Sequence, residues 1–170
     1  MSKWNKRDLF KENWYYHIYN RWYKKEIIFN NKACYEKFYK YIIKIIKDYD
    51  SIKIIAYCLL PNHFHFVLKN TWEKSDDISK FMKILQWSYA VWHRIKYPIE
   101  YKQMFFEWRF KSSYINNEDY LYKCVSYVCF NPIKHKIVKN IKDFPYTSYH
   151  QIDKSKIEKY KNFELNELEL

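Results

Sequence analysis

The chain has 170 residues and a formal net charge of +12, and 48% of its residues are hydrophobic and 22% aromatic. This composition excludes a disordered chain and is enough for one domain to fold without disulfides or a structural metal. No apolar run reaches the roughly 18 residues of a membrane span, and the basic N-terminus lacks the apolar segment of a secretory signal. We therefore expect a soluble, cytoplasmic protein with polyanionic partners and no membrane contact.

Two compositional details limit what can be inferred about function from the charge and the cysteines. Glycine is absent, and lysine greatly exceeds arginine, a bias that codon usage in an AT-rich genome explains. The four cysteines form no C-x-x-C pair, which is typical of reduced, buried thiols. A zinc site would have to join Cys124 and Cys129 to a distant ligand such as His135, so we do not expect one.

The first half of the chain predicts three strands and a helix. Residues Trp14–Trp22 are rich in aromatic and β-branched side chains and predict a first strand. Lys32–Asp48 has apolar residues at helical spacing and follows two asparagines that suit a helix N-cap. Ser51–Leu60 and His63–Lys69 predict two strands, and the short turn Pro61–Asn62 between them predicts an antiparallel β-hairpin.

The second half predicts two helices and one strand. Asp77–Lys96 has the apolar spacing of a helix, which Pro98 would stop. Met104–Tyr114 is expected to be a strand. A third helix is predicted from Asn116 or Asn117 to Asn131, with acidic residues in its first turn and with Pro132 ending or kinking it.

The fold class follows from the predicted order of the elements, which is strand, helix, strand, strand, helix, strand and helix. Helices that alternate with a mainly antiparallel sheet indicate an α+β fold of the ferredoxin-like type. We expect a single domain over residues 1–152. Residues 153–170 are lysine-rich and then acidic, with little core pattern, and are predicted to form a charged C-terminal tail.

A pair of histidines on the predicted strand after Pro61–Asn62 is the first chemical signal. Side chains alternate between the faces of a strand, so His63 and His65 share one face while Phe64 and Phe66 point to the other. Two imidazoles on one face can share a metal ion. The alternative is a pair of histidines on a polar sheet face with no metal.

The second signal lies on the third predicted helix. Tyr127 and Asn131 are four residues apart and so share a helix face about one turn from each other. A phenol beside an amide oxygen is a possible nucleophile next to a metal ligand. The alternative is packing, because the chain has 19 tyrosines and most tyrosines on helices pack.

Five segments of the chain, in this order, resemble the single-tyrosine transposases that carry the HUH motif, above all the REP-associated tyrosine transposases. The second contains the histidine pair and resembles the HUH strand, and the fourth resembles the catalytic helix with its Y-x-x-x-N-P pattern. The segments are Tyr16–Arg21, Ala56–His65, Phe106–Ser112, Tyr127–Pro132 and Asp143–Tyr149.

The resemblance implies a fold, a reaction and a set of residues. It implies the HUH endonuclease fold and metal-dependent cleavage and strand transfer of single-stranded DNA that bears a hairpin, through a 5′-phosphotyrosine. Tyr127 would be the nucleophile, and His63, His65 and Asn131 would bind Mg²⁺ or Mn²⁺. Related enzymes imply a monomer or a homodimer. Three basic residues in the matching motifs are expected to bind DNA: Arg21, Arg109 and Lys111.

Three other functions are weighed against strand transfer. A domesticated nucleic-acid-binding protein would keep the fold without transposing, and the intact residue set argues against it. A replication-initiator nickase shares the chemistry but usually carries a further domain. A zinc hydrolase would need a general base, for which Glu107 is the candidate. Trp22 and Trp108 replace glycines usual in the family, which puts loop conformation and substrate fit in question, although exposed tryptophans there could stack on unpaired bases.

Overall fold

A computed structural model describes residues 10–73, 75–97, 105–107 and 109–163. None of the helices in these ranges is long and apolar enough to cross a membrane. The strands and helices follow the predicted order: β1 (Tyr15–Arg21), α1 (Lys32–Ile45), β2 (Ile52–Leu60), β3 (His63–Asn70), α2 (Asp77–Lys96), β4 (Lys111–Ile115) and α3 (Glu118–Lys134).

The four strands form one sheet with the order β2-β3-β1-β4. Each neighbouring pair is antiparallel. The β2–β3 connection is the predicted turn, and the carbonyl of Pro61 accepts hydrogen bonds from the backbone N–H groups of Ile28 and Phe29 at 2.6 and 2.9 Å. This topology confirms the predicted α+β fold of ferredoxin-like type.

The two faces of the sheet are covered by different helices. On one face Phe64 contacts Phe38 of α1, and Phe66 contacts Phe81 of α2, with ring centroids 5.3 and 6.5 Å apart. All four rings are fully buried, and each contributes roughly 1.5–3 kcal/mol through burial. The third helix, α3, packs on β2 and β3 and covers the opposite face, to which the histidines of β3 point.

Local capping fixes where the helices begin. Asn31 accepts a hydrogen bond from the backbone N–H of Cys34 at 3.2 Å, as the sequence predicts. Asn117 does the same for Tyr120 at 2.8 Å at the start of α3. A fixed start determines which residues of a helix face the sheet, so the Asn117 cap sets the position of Tyr127.

Two predicted boundaries are wrong. The strand expected at Met104–Tyr114 is shorter, because only Lys111–Ile115 pairs regularly with β1; Met104 itself lies outside the described residues. Pro132 does not end the third helix, which continues to Lys134. A proline in the last turn costs one hydrogen bond, and the chain leaves the helix directly afterwards, so the disruption stays local.

The segment after residue 152 packs on α3 as far as Phe163, whereas its composition predicts a charged tail. Ile157 is fully buried, and its carbonyl accepts a hydrogen bond from Ser126 Oγ of α3 at 2.9 Å. The Lys134 ammonium group donates to the carbonyl of Phe163. One isoleucine among lysines and glutamates makes no periodic pattern, which explains why the composition did not indicate this packing.

Candidate active site

The predicted histidines lie on the sheet face under α3. Across β1 and β3, His63 pairs with Arg21 and His65 pairs with Tyr19, so these four side chains share one face. The ring centroids of His63 and His65 are 5.1 Å apart. His65 is buried and His63 is partly buried. The structure therefore forms the paired-imidazole arrangement that strand alternation predicts.

Helix α3 runs antiparallel to β3 and brings its own polar residues to the histidines. The Tyr127 ring contacts His65 at a centroid distance of 5.7 Å, and His135, the residue just after α3, contacts His63 at 5.0 Å. Asn131 lies on the same helix face, one turn from each of them. The structure thus brings Tyr127 to the histidine pair, with Asn131 on the same helix face.

The orientation of the His63 ring is set by its neighbour in the turn. Its Nδ1 lies 2.6 Å from the side-chain oxygen of Asn62, and the Asn62 amide nitrogen donates to the carbonyl of Lys25 at 3.1 Å. Because the amide oxygen can only accept, His63 Nδ1 carries the proton. The lone pair of His63 is then on Nε2, the atom that is left to bind a cation.

Burial keeps both imidazoles neutral at physiological pH. Desolvation, followed by the nearby His135 and Arg21, lowers the pKa of His63 to about 3. Desolvation also holds the pKa of His65 well below its usual value, and the neighbouring His17, His63, His135 and Arg21 act in the same direction. Neutral imidazole is the form that binds metals, so both side chains are in the ligand form at pH 7.

The side chain of Asn131 offers an oxygen of the type that binds divalent cations. It is fully buried, its amide nitrogen donates to the carbonyl of Tyr127 at 3.2 Å, and its side-chain oxygen has no hydrogen-bond partner in the described part of the chain. A buried acceptor without a partner is costly and calls for an explanation such as a bound ion. Two imidazole nitrogens and an amide oxygen fit a divalent cation of the Mn²⁺ or Mg²⁺ type.

Within the described ranges, no three His, Cys, Asp or Glu side chains are placed to hold a metal ion. The cysteines at positions 58 and 129 are free and buried.

His17 belongs to the same site, although no sequence pattern indicates a role for it. His17 is 1% exposed and lies on β1, with its Nε2 2.9 Å from Nδ1 of His65. The two rings are nearly parallel and 5.1 Å apart. Alternation along β1 places His17 on the face of Tyr19 and Arg21, but its contact with His65 depends on the β1–β3 register, which the sequence does not reveal.

The three predicted DNA-binding residues lie at or near the β1–β4 edge of this face. Arg21 forms an ion pair with Glu107 at 3.1 Å and is half-exposed. Lys111 is exposed and lies across β1 from His65, with its ammonium group 5.5 Å from the Tyr19 ring. Arg109 is exposed just before β4. Since Glu107 is paired with Arg21, its candidate role as a general base is not favoured.

Trp22 is not available for stacking on bases. It is 4% exposed and packs edge-on against Phe105 and His93. Its φ of −70° is ordinary, while Lys24 and Lys25 take the left-handed conformation with φ of 58° and 61°. The missing glycine at position 22 therefore imposes no strain. Trp108, the other tryptophan at a usual glycine position, lies outside the described residues.

A ferredoxin-like sheet with a histidine pair facing a tyrosine-bearing helix is the arrangement expected of single-tyrosine transposases. The model of the IS200-like transposase family matches residues 10–131, and the chain belongs to this family. Its relatives confirm the resemblance seen in the sequence. A REP-associated tyrosine transposase of Escherichia coli is 28% identical over 65% of this chain and 61% of its own length. A Haemophilus influenzae protein assigned to the same group is 26% identical over 61% of this chain and 62% of its own length.

The chain thus spans about three fifths of the length of these curated relatives. Two solved structures share its fold. A REP-associated tyrosine transposase bound to a REP hairpin superposes with a TM-score of 0.70 at 23% identity, over 89% of this chain and 84% of that one. The tRNA(His) guanylyltransferase of Saccharomyces cerevisiae superposes with a TM-score of 0.54 at 11% identity, over 76% of this chain and 62% of that one.

Proposed function

We propose that this chain is a cytoplasmic, metal-dependent enzyme that cleaves single-stranded DNA bearing a hairpin and transfers the strand through a 5′-phosphotyrosine on Tyr127. The observation that carries this proposal is the contact between the Tyr127 ring and the His65 ring, whose centroids are 5.7 Å apart, with the buried Asn131 one turn further along the same helix. Membership of the IS200-like transposase family supports it.

The cation would be held by Nε2 of His63, by His65 and by the side-chain oxygen of Asn131. When bound, Mg²⁺ or Mn²⁺ supplies charge stabilisation at the scissile phosphate. The protein's part is to present neutral imidazoles and a desolvated oxygen, which the burial of His65 and Asn131 provides. Their fixed positions avoid reorganisation when the substrate phosphate arrives.

Tyr127 would carry out the covalent step. An ordinary tyrosine has a pKa near 10 and is mostly protonated at pH 7. Its oxygen forms a bond to phosphorus while the bond from phosphorus to the 3′-oxygen breaks. The phenolic proton is lost and a proton ends on the 3′-hydroxyl, so atoms and charges balance. A second 3′-hydroxyl can reverse the step, which gives strand transfer without ATP.

DNA binding would rely on Arg21, Arg109 and Lys111 at the open edge of the same face. Two curated relatives and one solved structure are named for REP-associated transposition, and the solved one is bound to a REP hairpin. A hairpin-bearing strand is therefore the substrate we propose here. The nucleophile and the histidine pair meet within one chain, so a monomer would suffice for cleavage.

A cleavage assay with matched tyrosine variants tests the proposal. Labelled single-stranded DNA from the flanks of the gene, including its hairpin, is incubated with Mn²⁺ and resolved on a denaturing gel. We expect the wild type to form a covalent protein–DNA adduct that disappears with a chelator and in Tyr127→Phe. Tyr19→Phe is the control, because Tyr19 also contacts His65, at 5.6 Å, and it should still form the adduct.

The opposite result points to a different function. An adduct that persists in Tyr127→Phe would contradict the role of this tyrosine. Tight, salt-sensitive binding of every flanking strand without an adduct, by wild type and variant alike, would indicate the domesticated nucleic-acid-binding protein instead.

A further inference from the structure

We propose that His17 is a positioning residue that holds the His65 ring with its Nε2 lone pair turned toward the cation. This inference rests on the proposed function, because it concerns the same cation site. Nothing in the sequence pattern assigns a role to His17. The assignment comes from its contact with His65 inside the sheet.

The distance and the ring geometry carry the argument. His17 Nε2 and His65 Nδ1 are 2.9 Å apart, and the two ring planes differ by 7°. One of these nitrogens must carry the proton that the other accepts. If His65 carries it on Nδ1, the lone pair of His65 is on Nε2 and can bind a cation. In the opposite arrangement His65 Nε2 is protonated and cannot.

The neighbouring histidine shows the same construction. His63 Nδ1 is held by the Asn62 side-chain oxygen at 2.6 Å, which leaves its Nε2 to bind. Both histidines of the pair therefore have Nδ1 engaged by a fixed neighbour, Asn62 in one case and His17 in the other. Histidine ligands usually have their second nitrogen held in this way, and the partner fixes the tautomer.

The surroundings of His17 hold its ring in place. It is 1% exposed and lies between Val67 and Ser113 on the neighbouring strands. Its ring stacks on Tyr19 at 5.5 Å and contacts Tyr127 at 6.0 Å. A side chain held on this many sides loses little further freedom when it accepts a hydrogen bond.

Two variants separate the hydrogen bond from simple packing. His17→Leu fills a similar space without an acceptor, so the Nδ1 proton of His65 would lose its partner. His17→Gln offers an amide oxygen at about the reach of Nε2 and can accept that proton. The readout is the affinity for Mn²⁺ alone at pH 7.5, measured from the electron paramagnetic resonance signal of free Mn²⁺. Thermal unfolding of each variant in parallel reports on the fold.

We expect His17→Leu to bind Mn²⁺ at least about 10-fold more weakly than the wild type, the range typical when a metal ligand is deprived of its outer partner. His17→Gln should stay within about threefold of the wild type, an expectation that follows from the retained acceptor. Wild-type affinity in His17→Leu would overturn the inference. An equal loss in both variants, with unchanged unfolding temperatures, would overturn it as well.

A further variant distinguishes failure of this inference from failure of the proposed function. His65→Ala should abolish Mn²⁺ binding if the cation site exists. If His65→Ala binds as the wild type does, the cation site itself is wrong and the proposed function fails with it. If His65→Ala loses binding while His17→Leu does not, only the role of His17 is overturned.

Discussion

The rings of Tyr127 and His65 meet edge to face, with centroids 5.7 Å apart and planes at 89°. They come from adjacent layers of the fold, one from α3 and one from the central strand β3. Tyr19 lies as close to His65, at 5.6 Å, but it stacks nearly parallel to the imidazole and is buried in β1. The half-buried position of Tyr127 favours it as the residue that reaches a DNA phosphate.

Replacing Asn131 tests whether its side-chain oxygen binds the cation. Asn131→Leu has a similar volume and loses one hydrogen bond, from the amide to the Tyr127 carbonyl at 3.2 Å. We expect Mn²⁺ affinity and adduct formation to fall about 10-fold or more, with a cost to folding of about 1 kcal/mol. Asn131→Asp keeps an oxygen ligand and should retain the adduct. Full activity of Asn131→Leu, measured by gel, would rule out this ligand.

Basic residues at the edge of the active face should contribute unequally to DNA binding. Arg21 is held by Glu107 at 3.1 Å, whereas Lys111 is exposed, so Lys111→Gln should weaken binding more than Arg21→Gln. For each DNA phosphate that a variant no longer neutralises, the slope of log affinity against log salt should become shallower by about 0.7.

Fluorescence anisotropy with a labelled single strand at several salt concentrations measures these slopes. Lys44→Gln is the matched control, because Lys44 is exposed on α1, on the other side of the sheet. A slope that changes equally in Lys44→Gln and Lys111→Gln would show that the net charge, rather than this edge, binds the DNA.

Ile157 should matter for the position of α3 as well as for stability. It is fully buried in the segment that packs on α3, so Ile157→Ala is expected to cost about 2–5 kcal/mol. Chemical denaturation measures this cost, and adduct formation should fall in parallel because α3 carries Tyr127. The exposed Ile95 provides the control: Ile95→Ala should change stability by less than about 0.5 kcal/mol. Equal effects of the two variants would contradict the packing.

The buried His93 should lower the stability of the fold in acid. It is buried among Trp22, Tyr97 and Phe105, and neither ring nitrogen has a hydrogen-bond partner in the ranges that the structure describes. Desolvation lowers its pKa from 6.5 to about 4. Between these two values the unfolded chain binds more protons than the folded one, so the contribution of His93 to stability is lost as the pH falls.

The substitution His93→Phe removes this titration. From pH 8 to pH 5, the free energy of unfolding of His93→Phe should fall by roughly 1–2 kcal/mol less than that of the wild type. Urea denaturation at both pH values measures the difference. Ile95→Phe, at an exposed position where no titratable group is removed, is the control and should follow the wild type. An identical pH dependence of His93→Phe and wild type would refute the prediction.

The sequence predicts most of the fold because local signals agree with the final packing. The helix stripe through Phe38 and Ile42, the cap at Asn31 and the turn at Pro61 each specify one element without long-range information. The extent of β4 was not predictable in this way. Its regular pairing depends on β1, and of the aromatic residues before Lys111 Phe106 forms only an isolated bridge with Trp22.

For the candidate site, the sequence indicates the histidine pair and the tyrosine–asparagine spacing but not their environment. Alternation on β3 gives the shared face of His63 and His65, and the helical period gives that of Tyr127 and Asn131. The role of His17 requires the register of β1 against β3, and the ion pair of Arg21 with Glu107 requires the path of a loop. Both contacts join residues that are far apart in the sequence, and sequence periodicity does not reveal such contacts.

Mass spectrometry of the covalent adduct identifies the tyrosine that attacks the DNA. The wild-type protein is reacted with the labelled flanking strand and Mn²⁺, digested with nuclease and protease, and the peptide that carries the nucleotide is sequenced. We expect a single modified residue, Tyr127, in the peptide that contains Val128 and Cys129. A nucleotide found on Tyr19, or on any other of the 19 tyrosines, would contradict it.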